Sequence, residues 1–278
     1  FLDERVRPSL IPGSFWFLLC FHDGWRERIA WTDRYTWVEP GALDDVLEWR
    51  GAPGELPRLS RTHPWVACYC AHRGDPSAFL IPEVHWIISD GHAGLFREVE
   101  LASTPWASRR ARAVYAGGAH GEIANYLAPP PPWREHPRRY LRALVEAEGL
   151  PVDVHLGGAL PRSQQMGYRW ILDVDGQVRT WGAWAWKMAS GSTVLSPASS
   201  WESFFTREFE PWVHFVPVAN DFADLAERLA WCRDHDDECR RIAEAASLRA
   251  AEVYESGRVA AEVARGFRER FAGIALRR

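Results

Sequence analysis

The sequence predicts an α/β protein built from two halves. Three features lead there. In the first half, short continuous apolar runs recur, and each ends in a polar turn that contains glycine. In the second half, such runs alternate with stretches whose apolar residues follow helical spacing. Between the halves stands the run Pro129 to Pro132, through which neither a helix nor a central strand can continue. The seam divides the chain into predicted domains 1–130 and 131–278. No internal repeat is visible.

Taken in order, Ser14 to Phe21 ("SFWFLLCF") is the first predicted strand, closed by the turn signal His22-Asp23-Gly24. Pro64 to Ala71 is the second, Val84 to Ser89 the third and Arg112 to Gly118 the fourth. After the prolines, "PRRYLRALVEAEG" predicts a helix stopped by Gly149. Tyr168 to Val174 is a strand that turns at Asp175-Gly176, and Ser192 to Ser196 and Trp212 to Val218 are further strands. A helix follows with Asn220 or Asp221 as its cap, carrying Phe222, Leu225, Leu229 and Cys232 at helical spacing. Two more helices complete a Rossmann-like second half.

Composition excludes several classes. With 278 residues, 47% of them hydrophobic, the chain can bury full cores. Its formal net charge of -4 and lack of long basic runs argue against nucleic acid as a partner. The local pairs Arg109-Arg110 and Arg138-Arg139 are surface arginines in the plainest reading, and each suffices to hold one phosphate or touch anionic lipid. The five cysteines show no zinc spacing, and the ten histidines show no metal motif, so no metal site is predicted. Cys68 and Cys70 point the same way on a strand, which suits burial of free thiols and a reducing, cytoplasmic setting. No apolar run reaches membrane-spanning length. The chain starts at Phe1 without a methionine, which leaves room for residues before it.

The segment "RTWGAWAWKMASGSTVL", Arg179 to Leu195, carries the functional signal. A turn at Asp175-Gly176 leaves the carboxyl end of a strand, and a helix starts near Trp181. Free N–H groups at such a start seat a diphosphate. Trp184, Met188 and Gly191 share a face that packs on the sheet, while Lys187 is expected to point away, with a side chain long enough to bend back. Neither a dinucleotide-binding nor a P-loop glycine pattern occurs.

Tyr168 to Leu195, followed by "WESFFTREFEPWVHFVPVANDFADLAERLAWCRDHDDECRRIAE", resembles the C-terminal half of glycosyltransferase family 90. That family includes fungal capsule-associated xylosyltransferases, animal protein O-glucosyltransferases and bacterial lipopolysaccharide-modifying enzymes. The bacterial branch is the most similar, with tryptophan and lysine at the positions of Trp181 and Lys187. "SFWFLLCFHDGW" and "RRARAVYAGGAHG" resemble first-half segments more weakly. Two family arginines are absent: Ala116 stands at one position, and the tryptophan-bearing helix lacks the other.

The resemblance implies a GT-B-like pair of Rossmann-like domains facing across a cleft, with 1–130 on the acceptor side and 131–278 binding the nucleotide sugar. It implies an inverting transferase with no metal or other cofactor, moving glucose or xylose from a UDP-sugar to a bacterial surface glycan or lipopolysaccharide. The setting it implies is the cytoplasm, with peripheral contact at the inner face of the inner membrane allowed. Asp23 is the expected general base, with Asp90 as runner-up. His22, Trp86 and Asp90 are expected on the acceptor side. Donor contacts are expected from Asp175, Gly176, Arg179, Trp181, Lys187, Ser190, Gly191, Ser192, Gly117, Gly118 and His120. His214 is read as a strand histidine rather than a catalytic one. The alternatives are a non-catalytic carbohydrate-binding relative and an unrelated α/β scaffold whose tryptophans only fill the core.

Overall fold

The computed structural model describes residues 18–20, 66–73, 78–119, 136–157, 160–176, 179, 182–199 and 201–271. It is α/β. A small parallel sheet joins β1 (Leu18–Cys20), β2 (Val66–Cys68) and β4 (Ala78–Leu80) in the order β1-β2-β4. Between β2 and β4, β3 (Cys70–His72) leaves that sheet and pairs antiparallel with β9 (Trp201–Ser203) of the second half. The predicted strand Pro64 to Ala71 therefore breaks at Tyr69 into two strands of different sheets.

Val84 to Ser89 is not a strand. Val84–Ile88 forms α1, and Ala93–Leu101 forms α2. In a strand, Trp86 and Ile88 would share a face. Here Trp86 is buried, while Ile88 is 72% exposed. The bonds Ile87 N–H to Glu83 O (3.2 Å) and Ser89 N–H to His85 O (3.1 Å) are helical. A five-residue apolar run does not by itself distinguish the two structures.

The main sheet has five parallel strands in the order β10-β8-β7-β5-β6. They are β5 (Arg110–Gly117), β6 (Val152–Leu156), β7 (Tyr168–Leu172), β8 (Thr193–Pro197) and β10 (Val216–Val218). The first of these precedes the proline run, yet it pairs with strands beyond it, so the seam is not a sheet boundary. Crossovers are made by α3 (Pro137–Glu148), the short α4 (Arg162–Gln165) and α5 (Gly182–Ala189). Then come α6 (Leu225–Asp234), α7 (Asp236–Val253) and α8 (Ser256–Phe271).

Strand alternation assigns the faces. Ala113, Tyr115, Trp170, Leu172 and Leu195 pack with Leu141 and Val145 of α3 and with Leu225 and Leu229 of α6. Val114 and Ile171 turn to the opposite face with Trp186. All five residues of β8 are buried, as a central parallel strand covered on both sides requires. Trp184 and Met188 do pack inward, in a core shared with α7 and α8. The last helix reaches back to the first half, where Phe267 meets Phe79 edge-on at 4.7 Å.

Two expected boundaries moved for local reasons. The stretch from Trp212 is a turn until Val216, because Trp212 sits at φ 66° and both Val213 and His214 N–H groups return to Glu210 O. The α6 helix starts after Asp224, not after Asn220 or Asp221. Phe222 adopts φ 60°, and Asp224 Oδ1 accepts from Ala219 N–H at 2.7 Å. Cys68, Cys70, Cys232 and Cys239 are buried free thiols.

Leu141 is fully buried between α3 and the sheet. Leu141→Ala should lower unfolding free energy by about 2–5 kcal/mol in urea titrations, while Leu248→Ala on the exposed face of α7 should change it by less than about 0.5 kcal/mol.

Candidate functional site

Strand order fixes where a ligand fits. From the inner strand β5 the chain moves outward to the edge strand β6, then crosses to β7 on the other flank of β5. The loops after β5 and β7 therefore leave toward opposite faces of the sheet and open a crevice at their carboxyl ends, the usual ligand position in open α/β sheets. One wall carries Gly117, the last residue of β5, and Gly118. The other carries Asp173, Val174, Asp175 and Gly176 after β7. A Cβ on Gly117 would lie 2.6 Å from the Tyr115 hydroxyl, so a larger residue here must displace that buried ring.

Beneath the second wall lies a buried ionic network. Asp173, fully buried, receives Lys187 Nζ at 2.8 Å and faces Arg179 Nη1 at 3.4 Å. Arg179 Nη1 also donates to Asp175 Oδ1 at 3.1 Å, and its Nη2 donates to Ser196 Oγ at 2.8 Å. Asp175 Oδ2 accepts from Ser199 Oγ at 2.5 Å. The Arg179 guanidinium lies 4.3 Å from the Trp184 ring centroid.

Burial and pairing compete in this network. Burial pushes the Asp175 carboxyl above its ordinary pKa against the pull of Arg179 and Ser199. Burial pushes Lys187 down against the pull of Asp173. For Arg179, burial acts downward, but the carboxylates of Asp175 and Asp173 outweigh it and hold the guanidinium above its ordinary value. The thiol of Cys70 on β3 abuts the network. Burial raises its pKa well above the ordinary value, and a hydrogen bond to the Arg179 backbone opposes this.

Lys187 thus points inward, not away. It sits late in α5, but helical side chains lean toward the N-terminus. Its stem returns to the end of β7, where Nζ also donates to Leu172 O at 3.2 Å. Ser190, Gly191 and Ser192 do not reach the crevice. A crossover helix runs opposite to its strands, so α5 begins at the carboxyl edge of the sheet and ends at the amino edge. There Ser192 Oγ donates to Tyr168 O, at the start of β7, at 2.7 Å. Arg109 donates to Ser192 Oγ at 2.7 Å and to Ser190 O at 3.0 Å, and its guanidinium lies against Gly191 at φ 68°. This cluster closes the bottom of the sheet.

Trp86 is also removed from the ligand-facing set. It is 2% exposed, packed in the core beside Phe205. Asp90 is exposed, in the left-handed turn between α1 and α2. Next to it, His92 is buried and bonded to Glu83 at 2.8 Å, and its ring lies against Gly182 at the start of α5. His214 Nδ1 accepts from Glu210 N–H at 3.0 Å, a structural bond within its turn. His22, Asp23, His120 and Trp181 lie outside the described residues.

Arg138 is the residue that sequence reasoning placed on the surface. It opens α3, and its guanidinium spans the crevice, donating to Gly118 O at 3.3 Å and Val174 O at 3.4 Å. The pair Arg138-Arg139 drew notice as a phosphate holder, but nothing in the spacing joined it to the Asp175-Gly176 turn.

With this geometry in place, residues 155–261 match the model of glycosyl transferase family 90. Protein O-glucosyltransferase 2 of Danio rerio is 36% identical over 76 residues, covering 27% of this chain and 15% of that protein. Protein O-glucosyltransferase 3 of Rattus norvegicus is 32% identical over 92 residues, covering 33% and 18%. An uncharacterized protein, 179R, of Invertebrate iridescent virus 6 is 26% identical over 182 residues, covering 52% and 15%. The aligned part is thus less than a fifth of each of these relatives. Among solved structures, HepE of Anabaena in complex with UDP overlaps at TM-score 0.42 and 13% identity, covering 62% of this chain and 55% of that one. A glycosyltransferase from Rickettsia africae overlaps at TM-score 0.44 and 11% identity, covering 79% and 69%. Among the described residues, no helix is long and apolar enough to cross a membrane.

Two consequences of this buried network are measurable. Asp173→Asn leaves Arg179 and Lys187 short of a buried counter-charge and should cost about 3–5 kcal/mol in urea unfolding. Asp175 has a folded pKa above its ordinary 3.8, so between those values the folded chain holds more proton than the unfolded one. Its contribution to stability falls as pH rises through that interval. Asp175→Asn removes the dependence, so variant stability relative to wild type should rise from about pH 4 toward neutrality in urea unfolding at fixed ionic strength.

Proposed function

We propose that the chain is a sugar transferase that uses a UDP-sugar, with the crevice between the ends of β5 and β7 as the donor site. The observation that carries this is the coincidence of two things. The crevice is the ligand position that strand order dictates, and its Asp175-Gly176 wall lies inside the family 90 segment. HepE, which shares this general fold at low identity, is known in complex with UDP and with UDP-glucose. The O-glucosyltransferase relatives favour glucose, and the resemblance keeps xylose as the second sugar.

The chemistry asks little of the protein beyond placement and charge. An acceptor hydroxyl attacks the anomeric carbon as its proton passes to a carboxylate, and the bond to UDP breaks on the opposite face, inverting the configuration. Asp23, three residues after β1, is the proposed base, and Asp90 is the alternative. The leaving diphosphate gains negative charge, which N–H groups and cations at the crevice offset. We assign no metal or other cofactor to this step. The acceptor is a hydroxyl of a bacterial surface glycan or lipopolysaccharide, met at the cytoplasmic membrane face. Domains 1–130 and 131–278 remain the proposed acceptor and donor units, with β5 contributed to the donor sheet across that division, in a GT-B-like arrangement.

Calorimetry with UDP, ADP and uridine, followed by a transfer assay with UDP-glucose and UDP-xylose, tests this reading. UDP should bind in preference to ADP, and Asp23→Asn should retain UDP binding while losing about 100-fold or more in transfer rate. Glycan binding with no nucleotide binding would favour the carbohydrate-binding alternative, for which the missing arginine at Ala116 speaks. Full transfer by Asp23→Asn would move the base to another residue.

A further inference from the structure

We propose that Tyr115 binds the donor: from the floor of the crevice its hydroxyl donates a hydrogen bond to the diphosphate. The inference rests on the reading of the crevice as a UDP-sugar site and adds a residue that the sequence did not mark.

Tyr115 lies on β5 two residues before Gly117, so both stand on one face of the sheet. Its ring is 1% exposed and packs in the core that holds Leu141, Val145 and Leu172. The ring leans along the strand toward the carboxyl edge, where the hydroxyl meets Gly117. A Cβ on that glycine would lie 2.6 Å from Tyr115 Oη. The other groups around the phenol belong to the same edge. Lys187 Nζ lies 5.9 Å from the ring centroid, and the charges of Arg138 and Asp173 both act on the hydroxyl. Tyr115 Oη thus stands between the two walls, beneath the opening that they leave.

Among the described residues, no group forms a hydrogen bond with this hydroxyl. A buried phenol normally finds a partner. The indole nitrogens of Trp170 and Trp184 are fully enclosed without one, but Tyr115 Oη is not enclosed. Its missing partner comes from the crevice side, as water or as a ligand oxygen.

The chemistry favours an anionic oxygen. Burial raises the phenol pKa well above its ordinary value, so the group stays protonated and neutral. It supplies an O–H without setting a negative charge against the diphosphate. A hydrogen bond to a charged oxygen is about twice as strong as one between neutral groups. The packed ring holds the donor in place before the ligand arrives, so little reorganisation is needed as charge develops on the leaving group.

Tyr115→Phe tests this, because it removes one oxygen and keeps the packed ring. The whole chain is titrated with UDP and with uridine by calorimetry and melted with and without UDP. UDP binding should weaken by about tenfold or more, and uridine binding should not change. Without ligand the variant should melt at the wild-type temperature or above it, since no internal hydrogen bond is lost. The rise in melting temperature on adding UDP should shrink. Wild-type affinity for UDP in the variant overturns the assignment. An equal loss of UDP and uridine overturns it too, by placing the hydroxyl on the nucleoside. A clear drop in melting temperature without ligand marks the hydroxyl as structural and likewise overturns it. A wild-type chain that binds no UDP overturns the crevice reading itself, and this inference with it.

Discussion

One carboxylate organises the carboxyl edge of the main sheet. Asp173 is fully buried one residue beyond β7, and it holds Lys187 and Arg179. A charge in that position is costly unless it is paired and hydrogen-bonded, and pairs of this kind are weak contributors to stability. What the network does supply is a fixed path. Leu172 O and Asp173 anchor Lys187, which ties α5 to the strand before it. Arg179 ties the intervening loop to Ser196 on the neighbouring strand and to the ring of Trp184. The turn at Asp175-Gly176 is thereby held from beneath and from one side, which leaves its upper surface to face the crevice.

The two ends of α5 do different work. At its start, Gly182 lies against the buried His92–Glu83 pair from the first half of the chain. At its end, Ser190, Gly191 and Ser192 accept the buried Arg109 and close the sheet at the opposite edge. The two described tryptophans of this segment serve packing. Trp184 and Trp186 are buried, as are Trp86, Trp170 and Trp201. Their large apolar area covers both faces of a sheet whose central strands have no solvent face.

Much of the fold was legible because its signals were local. Gly149 stops α3 at φ 63°, as the sequence position suggests. Apolar runs located β5, β7 and β8 to within two residues. The misreadings arose where tertiary context decides. Val84–Ile88 has no periodicity long enough to separate helix from strand. Val152–Leu156, with Asp153 and His155 in its middle, lacked the apolar run of a buried strand, because β6 is an edge strand whose outer positions meet solvent. Trp212 to Phe215 looked extended, but two N–H groups found Glu210 O instead. The site was legible only in part for the same reason. The Asp175-Gly176 turn and the Gly117-Gly118 turn announced themselves, and parallel pairing brought them together. Lys187 and Ser190 to Ser192 were misplaced, since residue type alone does not reveal which edge of a sheet a helix end occupies.

Arg138 shows how a crossover topology hides a site residue. Its distance along the chain from Gly176 gives no hint of contact, and an Arg-Arg pair at a helix start looks like ordinary solvated surface. Topology changes this. The helix after the central strand begins at the carboxyl edge, beside the loop that leads to it, and the switch in strand order puts the loop after β7 next door. Any long side chain in the first turn of α3 that leans over the sheet must enter the gap between those loops. Ala116, where the family resemblance leads one to expect arginine, is the next-to-last residue of β5, two residues before Gly118. Arg138, delivered from α3, reaches Gly118 O at the same corner of the sheet from a different point in the chain. With Arg179 and Lys187 cancelled by Asp173 and Asp175, the field at the crevice is set by groups that project into it.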